Sequence, residues 1–313
     1  KARVQLMEET NCTQVTEFSL MGFTEDPVTR VTLFLVFLLT YLLTILGNLG
    51  LTVLIRASPQ LHSPMYHFLG NLALVDLCSS TVITPKMLVD FLSEKKAITY
   101  AGCVAQVFIF DLLGMAGFFL LATMAYDRYM AICHPLLYPL VMSPKCCFQL
   151  VAGSYLMGLT NGIGQTIGMS RLFFCGSNAI DMFFCDISPL ISLSTSDPTL
   201  SHLILRTSAF LLGGTSSLVV LVSYVAIIST ILSISSAKGK RKAFSTCASH
   251  LITLSIFYGT SFFMYSKPSS DTSREDKWAA TFYTVVTPML NPLIYSLRNK
   301  EVKEALRRLI KRK

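Results

Sequence analysis

Apolar positions in this chain gather into long runs instead of alternating with polar ones. The runs fall at roughly 31–55, 64–89, 102–127, 147–169, 203–233, 243–266 and 277–297. A helix rises ~1.5 Å per residue, so about 20 apolar residues cross a hydrocarbon layer ~30 Å thick. Inside lipid each backbone amide must be satisfied within its own segment, so runs of this length are expected to be helices. The pattern predicts an all-α membrane protein: a bundle of seven transmembrane helices over 31–297, an extracellular segment 1–30, and a cytoplasmic tail 298–313. Residues 1–6 are set aside as an expression remnant. No cleavable signal-peptide pattern precedes the first run, which is expected to be retained.

Basic residues set the direction. Lys238, Lys240, Arg241 and Lys242 follow the fifth run, and Arg298, Lys300, Lys303, Arg307, Arg308, Lys311, Arg312 and Lys313 follow the seventh. Arg56 and Lys145 mark two shorter loops on the same side. The positive-inside rule places the C-terminus in the cytoplasm and the N-terminus outside. The acceptor triplet Asn11-Cys12-Thr13 agrees, since Asn11 can be glycosylated only on the lumenal side. In the tail, Val302, Leu306, Leu309 and Ile310 recur at helical spacing among cations, which suits an amphipathic eighth helix on the anionic leaflet. A frayed, solvated tail is the competing reading.

Composition supports the membrane reading. The chain is 52% hydrophobic and only 14% charged, against about 25% charged in soluble domains. The net charge of +8 sits at segment ends instead of forming a nucleic-acid patch. Neither a nucleophile constellation nor metal-ligand spacing is seen; the five histidines are scattered, and the glycines of NGIGQ lie in an apolar helix. The chain is therefore read as no enzyme, with no metal and no cofactor.

Polar groups within the runs are the informative exceptions. Asn48, Asp76, Asp111 and Asn291 are costly in a bilayer unless they meet partners or a water-lined cavity. Interhelical glue and a two-state network are both open readings for Asn48, Asp76 and Asn291. Pro85, Pro288 and Pro292 should kink their helices. Four cysteines, Cys12, Cys103, Cys175 and Cys185, lie on the predicted lumenal side, and three pairings are possible.

The stretch MAYDRYMAICHPLLYP (Met124–Pro139), with PMLNPLIYSLRN (Pro288–Asn299) and KAFSTCASH (Lys242–His250), resembles the olfactory branch of the rhodopsin-like G-protein-coupled receptors. The resemblance runs from Asn11 to about Lys303. It implies an odorant receptor in the plasma membrane that activates a stimulatory, olfactory-type heterotrimeric G protein and raises cAMP. A Cys103–Cys185 disulfide is implied, stapling the second extracellular loop over the cavity. The implied ligand lining is Val107, Phe110, Asp111, Gly114, Met115 and Phe118 on helix 3, Ser208 on helix 5, Tyr258, Ser261, Phe262 and Tyr265 on helix 6, and Thr281 on helix 7. For coupling it implies Asp127, Arg128, Tyr129, Tyr224, Lys240, Lys242, Asn291, Pro292 and Tyr295. Arg128 is expected to be held by Asp127 at rest, with Tyr224 and Tyr295 moving towards it on activation.

Two departures stand out. Thr195 replaces a cysteine usual in the family, which leaves Cys175 either free or paired with Cys12. Gly117 replaces a glutamate that faces the position of Asp76, which argues against bound sodium. A non-odorant receptor, such as one for amines, is the nearest alternative because of Asp111. A transporter or channel is more remote, since no repeat between halves is visible.

Overall fold

The computed structural model describes residues 15–265 and 274–311. Local chemistry explains where the helices begin. In α1, Pro27–Ala57, the Asp26 carboxylate accepts from the Thr29 amide at 2.8 Å, and Pro27 occupies a first-turn position that needs no donor. Helices α2 (Pro64–Leu92) and α4 (Pro144–Ser170) also start on proline, each after a serine. Thr99 caps α3, Tyr100–Cys133. Helix α5, Thr199–Ser233, contains wider π-type turns at Ser208–Gly213.

Helix α6 spans Ala237–Tyr265. It begins several residues before the apolar run does, because Ala, Lys and Arg are good helix formers; the basic segment Lys238–Lys242 is thus helical. Helix α7 comprises Arg274–Thr281, π-type turns at Phe282–Val286 and Thr287–Arg298. A final helix, α8, spans Lys300–Lys311, its first turn capped by Asn299 Oδ1, which accepts from the Glu301 amide at 2.9 Å. Val302 and Ala305 are buried against the bundle, while the side chains of Leu309 and Ile310 lie outside the described residues.

Polarity is arranged inside out. Leu46 on α1 and Leu221 on α5 are 70% and 62% exposed, whereas Asn48 and Asp76 are 1% and 4% exposed. In water such a surface would aggregate; in lipid it is matched. Among the described residues, five helices are long and apolar enough to cross a membrane on those criteria alone. Helices α4 and α7 are less apolar because they carry Asn161, Gln165, Thr284, Thr287 and Asn291, all buried inside the bundle. Helix α3 is central, packed on α2, α4, α5 and α6. It meets α4 so closely that a Cβ on Gly158 would lie 2.3 Å from the Leu112 carbonyl oxygen.

A small cap closes the N-terminal end of the bundle. Strand β1, Glu17–Leu20, runs between β2 (Ala97–Thr99, antiparallel) and β3 (Ala179–Ile180, parallel). Phe18 and Leu20 point inward, fully buried. The lead-in expected to be extracellular thus contains a structural strand at Glu17–Leu20; Asn11 lies outside the described residues. The Cys103–Cys185 disulfide, with Cα atoms 5.5 Å apart, ties this cap to α3. Buried side chains form two clusters, one in each half of the bundle, and Tyr283 packs against both.

Candidate functional site

Between the two clusters α3 presents Phe110, Asp111, Gly114 and Phe118, which helical spacing places on neighbouring faces. Phe110 meets Phe184 of the loop between α4 and α5 edge-on, with ring centres 5.4 Å apart, and Tyr283 of α7 at 5.6 Å. A Cβ on Gly114 would lie 2.7 Å from the Tyr283 hydroxyl, so glycine is what lets that ring reach α3. Phe118 packs edge-on against Phe257 at 4.6 Å and Tyr258 at 5.0 Å, and the Tyr258 hydroxyl donates to the Phe118 carbonyl at 3.4 Å.

The opposite wall is polar. Asn161 Nδ2 donates to the Asp111 carbonyl at 3.2 Å, and Ser208 Oγ donates to Asn161 Oδ1 at 2.6 Å. Gln165 Nε2 reaches Ser208 Oγ at 3.5 Å. Ser208 thus belongs to a chain of amide and hydroxyl groups linking α3, α4 and α5. From above comes Asp186, which is 7% exposed and acts electrostatically on Asp111.

Phe110, Asp111, Gly114, Phe118, Ser208 and Tyr258 therefore come together. Val107 and Met115 are buried. Ser261 and Thr281 are buried too, but their hydroxyls donate to carbonyls of their own helices, Phe257 and Lys277. Phe262 corrects the sequence expectation: it is 76% exposed on the outer face of α6, where lipid accepts an aromatic ring at no cost. The Tyr265 side chain lies outside the described residues. Asn161, Gln165, Phe184, Asp186 and Tyr283 were not among the expected residues. The amide side chains at 161 and 165, one turn apart in an apolar run, were a legible signal, since such groups must find partners inside the bundle.

The half of the bundle away from the cap holds a second polar set. Asn291 Nδ2 donates to Asp76 Oδ2 at 2.8 Å. Asn48 Nδ2 donates to the Thr44 and Pro288 carbonyls at 2.9 and 3.0 Å. The Pro288 carbonyl needs that donor because Pro292, one turn on, has no amide hydrogen. The space over Gly117 is occupied by Phe257, 3.3 Å from where a Cβ would be.

Asp127 differs from expectation. Its carboxylate accepts from the Tyr138 hydroxyl at 2.8 Å and forms no ion pair with Arg128. Burial of Asp127 at 1% exposure favours a directed hydroxyl donor, while the Arg128 guanidinium reaches across to Met65 Sδ. The charge of Arg128 acts on Tyr224 and Tyr295. Tyr224 and His250 Nδ1 are hydrogen bonded at 2.8 Å, as are Tyr129 and His134 Nε2 at 2.9 Å. The Lys240 backbone is helical, and the Lys242 side chain lies outside the described residues.

The family profile for olfactory receptors matches residues 37–313. This chain belongs to the olfactory receptor family. It is 53% identical over 308 residues to human olfactory receptor 5G3, covering 98% of both chains. To mouse olfactory receptor 8U9 it is 53% identical over 305 residues, covering 97% of each. The crystal structure of squid rhodopsin superposes with a TM-score of 0.69 at 19% identity, covering 90% of this chain and 85% of that one; at that identity the likeness speaks for the seven-helix fold. An olfactory receptor of this fold is a multi-pass membrane protein and no enzyme. The Cys103–Cys185 disulfide expected from the family is present. Cys175 is also disulfide-bonded, with a partner outside the described residues, and Thr195 instead hydrogen bonds the Phe173 carbonyl through its amide at 2.9 Å.

Proposed function

We propose that this olfactory receptor binds a small, lipophilic, volatile odorant in the cavity between α3, α5, α6 and α7. Binding activates a stimulatory, olfactory-type G protein and raises cAMP. The arrangement that carries the reading is the mixed wall of Phe110, Asp111, Phe118, Ser208, Tyr258 and Tyr283, mostly apolar with a few polar anchors, as small-molecule cavities are. A ligand of about a dozen heavy atoms buries little surface, so affinity is modest. The receptor sits in the plasma membrane with its N-terminus outside, Asn11 glycosylated and the basic α6 start and α8 in the cytoplasm.

Activation follows from differential affinity. The ligand favours whichever helix packing it binds better. Tyr283 and Phe257 lie 5.4 Å apart between ring centres, so a shift in the cavity wall is transmitted to α6. Further down, Asp76–Asn291, Asn48–Pro288 and Tyr224–His250 join helices that must move relative to one another. The missing amide hydrogen of Pro292 leaves α7 free to bend at that level. Opening at the cytoplasmic end exposes Arg128, Tyr129, Lys240 and Lys242 to the G protein. A cAMP screen of cells expressing the chain against a chemically diverse volatile panel tests this: dose-dependent responses lost in Arg128→Ala are expected, and silence to every compound despite surface expression counts against it.

A further inference from the structure

We propose that Tyr66 and Glu301 form a clasp that holds α8 on the first turn of α2, brakes the swing of the α7 end, and has to open for signalling. The inference rests on the odorant-receptor reading above and adds two positioning residues to it. Tyr66 is 1% exposed, and a buried tyrosine hydroxyl needs partners. Here both of its hydrogen-bonding roles are filled. The hydroxyl donates to Glu301 Oε2 at 2.6 Å and accepts from Asn299 Nδ2 at 2.8 Å. The bond to a carboxylate is of the stronger, charge-assisted kind.

Asn299 is the pivot between the last two helices. Its amide donates to the Tyr295 carbonyl at 3.2 Å and so closes the last turn of α7. Its side-chain Oδ1 accepts from the Glu301 and Val302 amides at 2.9 and 3.4 Å and so opens α8. One side chain thus sets the junction of the two helices, and Tyr66 ties that side chain to α2. Val302 and Ala305 pack in the same buried cluster as Leu61, Met65 and Tyr66.

The clasp lies beside the coupling arginine. Met65, the neighbour of Tyr66, meets the Arg128 guanidinium through its Sδ, so in this packing Arg128 is turned towards the bundle. Tyr66 travels with α2, whereas Asn299 and Glu301 lie beyond the bend that Pro292 permits in α7. A swing of that end parts the hydroxyl from both partners. Apolar contacts such as those of Val302 tolerate a small slide, but a hydrogen bond weakens steeply once its geometry is lost. Contacts made in one of two packings bias the equilibrium towards that packing. Removing them should therefore free the α7 end without dismantling α8.

The test compares the full-length receptor with Tyr66→Phe, Glu301→Ala, Glu301→Gln and the Tyr66→Phe/Glu301→Ala double variant. Amide hydrogen exchange of the purified, ligand-free proteins reads the clasp directly. Exchange across Tyr295–Lys311 is expected to quicken about tenfold in Tyr66→Phe and in Glu301→Ala, equivalent to about 1.4 kcal/mol. The double variant should be no faster than the quicker single one, and Glu301→Gln, which keeps an acceptor oxygen, should lie closer to wild type than Glu301→Ala. In cells with matched surface expression, ligand-free cAMP should rise about threefold in both single variants, an effect that a purely structural contact would not produce. Unchanged exchange, additive effects in the double variant, or an unchanged ligand-free signal alongside intact agonist responses would each overturn the clasp. Should Tyr66→Phe express poorly, Glu301→Ala, at an exposed position, carries the test alone. Exchange needs no G protein: a chain silent to every volatile would defeat the odorant-receptor reading, while quickened, non-additive exchange would still uphold the brake on α7.

Discussion

Adding a single methyl group at Gly114 tests how the cavity is built. In the structure a Cβ there would sit 2.7 Å from the Tyr283 hydroxyl, and the next atom, Cζ of the same ring, is 3.9 Å away. The ring cannot simply step back, since Phe110 and Phe257 pack against it at 5.6 and 5.4 Å. Overpacking of this kind costs about 1–3 kcal/mol, so Gly114→Ala should destabilise the purified receptor by that amount and weaken agonist potency. Removing the hydroxyl removes the clash: in a Tyr283→Phe background the nearest atom is at ordinary contact distance, and Gly114→Ala should cost under about 0.5 kcal/mol. The assay is a double-mutant cycle on thermal stability, with agonist EC50 from a cAMP assay as the second readout. Equal damage from Gly114→Ala in both backgrounds would show that Tyr283 does not set the wall, and the account of the cavity would have to be abandoned.

Three further outcomes are expected. Burial pushes the Asp186 carboxyl from 3.8 up to about 6, with the Ser188 and Ile187 amides offsetting part of the effect. An acid that binds its proton more tightly folded than unfolded makes stability fall as pH rises through that window and level off above it. The fall is about 3 kcal/mol at most, and a thermal midpoint that does not fall across that window, or falls equally in Asp186→Asn, would contradict it. Tyr138→Phe should cost about 1–3 kcal/mol by leaving the buried Asp127 acceptor unsatisfied, measured by thermal denaturation; a loss below about 0.5 kcal/mol would remove Tyr138 from that role. Non-reducing peptide mapping should join Cys175 to Cys12, because Cys103 pairs with Cys185, five other cysteines are free thiols and Cys175 is disulfide-bonded. Alkylation of Cys175 in the unreduced wild type would speak against that link.

Why some of this could be read in advance and some could not is a question about solvent. Lipid demands long uninterrupted apolar helices, so the seven crossings were visible in the run lengths alone. The short strand at Glu17–Leu20 was hidden because its partners, Ala97–Thr99 and Ala179–Ile180, are far off in sequence and too brief to show a period. Tyr138 was equally hidden as the partner of Asp127, since a loop turn, not a helical repeat, brings it back eleven residues.

Phe262 and Asp111 mark the deeper divide. In a soluble protein an aromatic residue at helical spacing argues for the interior, because the exterior is water. Here interior and exterior are both apolar, so the pattern around Tyr258 could not say that Phe262 faces outward at 76% exposure. A carboxylate has no such choice: lipid will not hold it, so Asp111 had to point inward before any coordinate was known. Asn48, Asp76, Asn161, Gln165 and Asn291 obey the same logic, and all are buried within the bundle. In a membrane receptor the polar residues of the helices therefore locate the site, and the aromatic ones only furnish it.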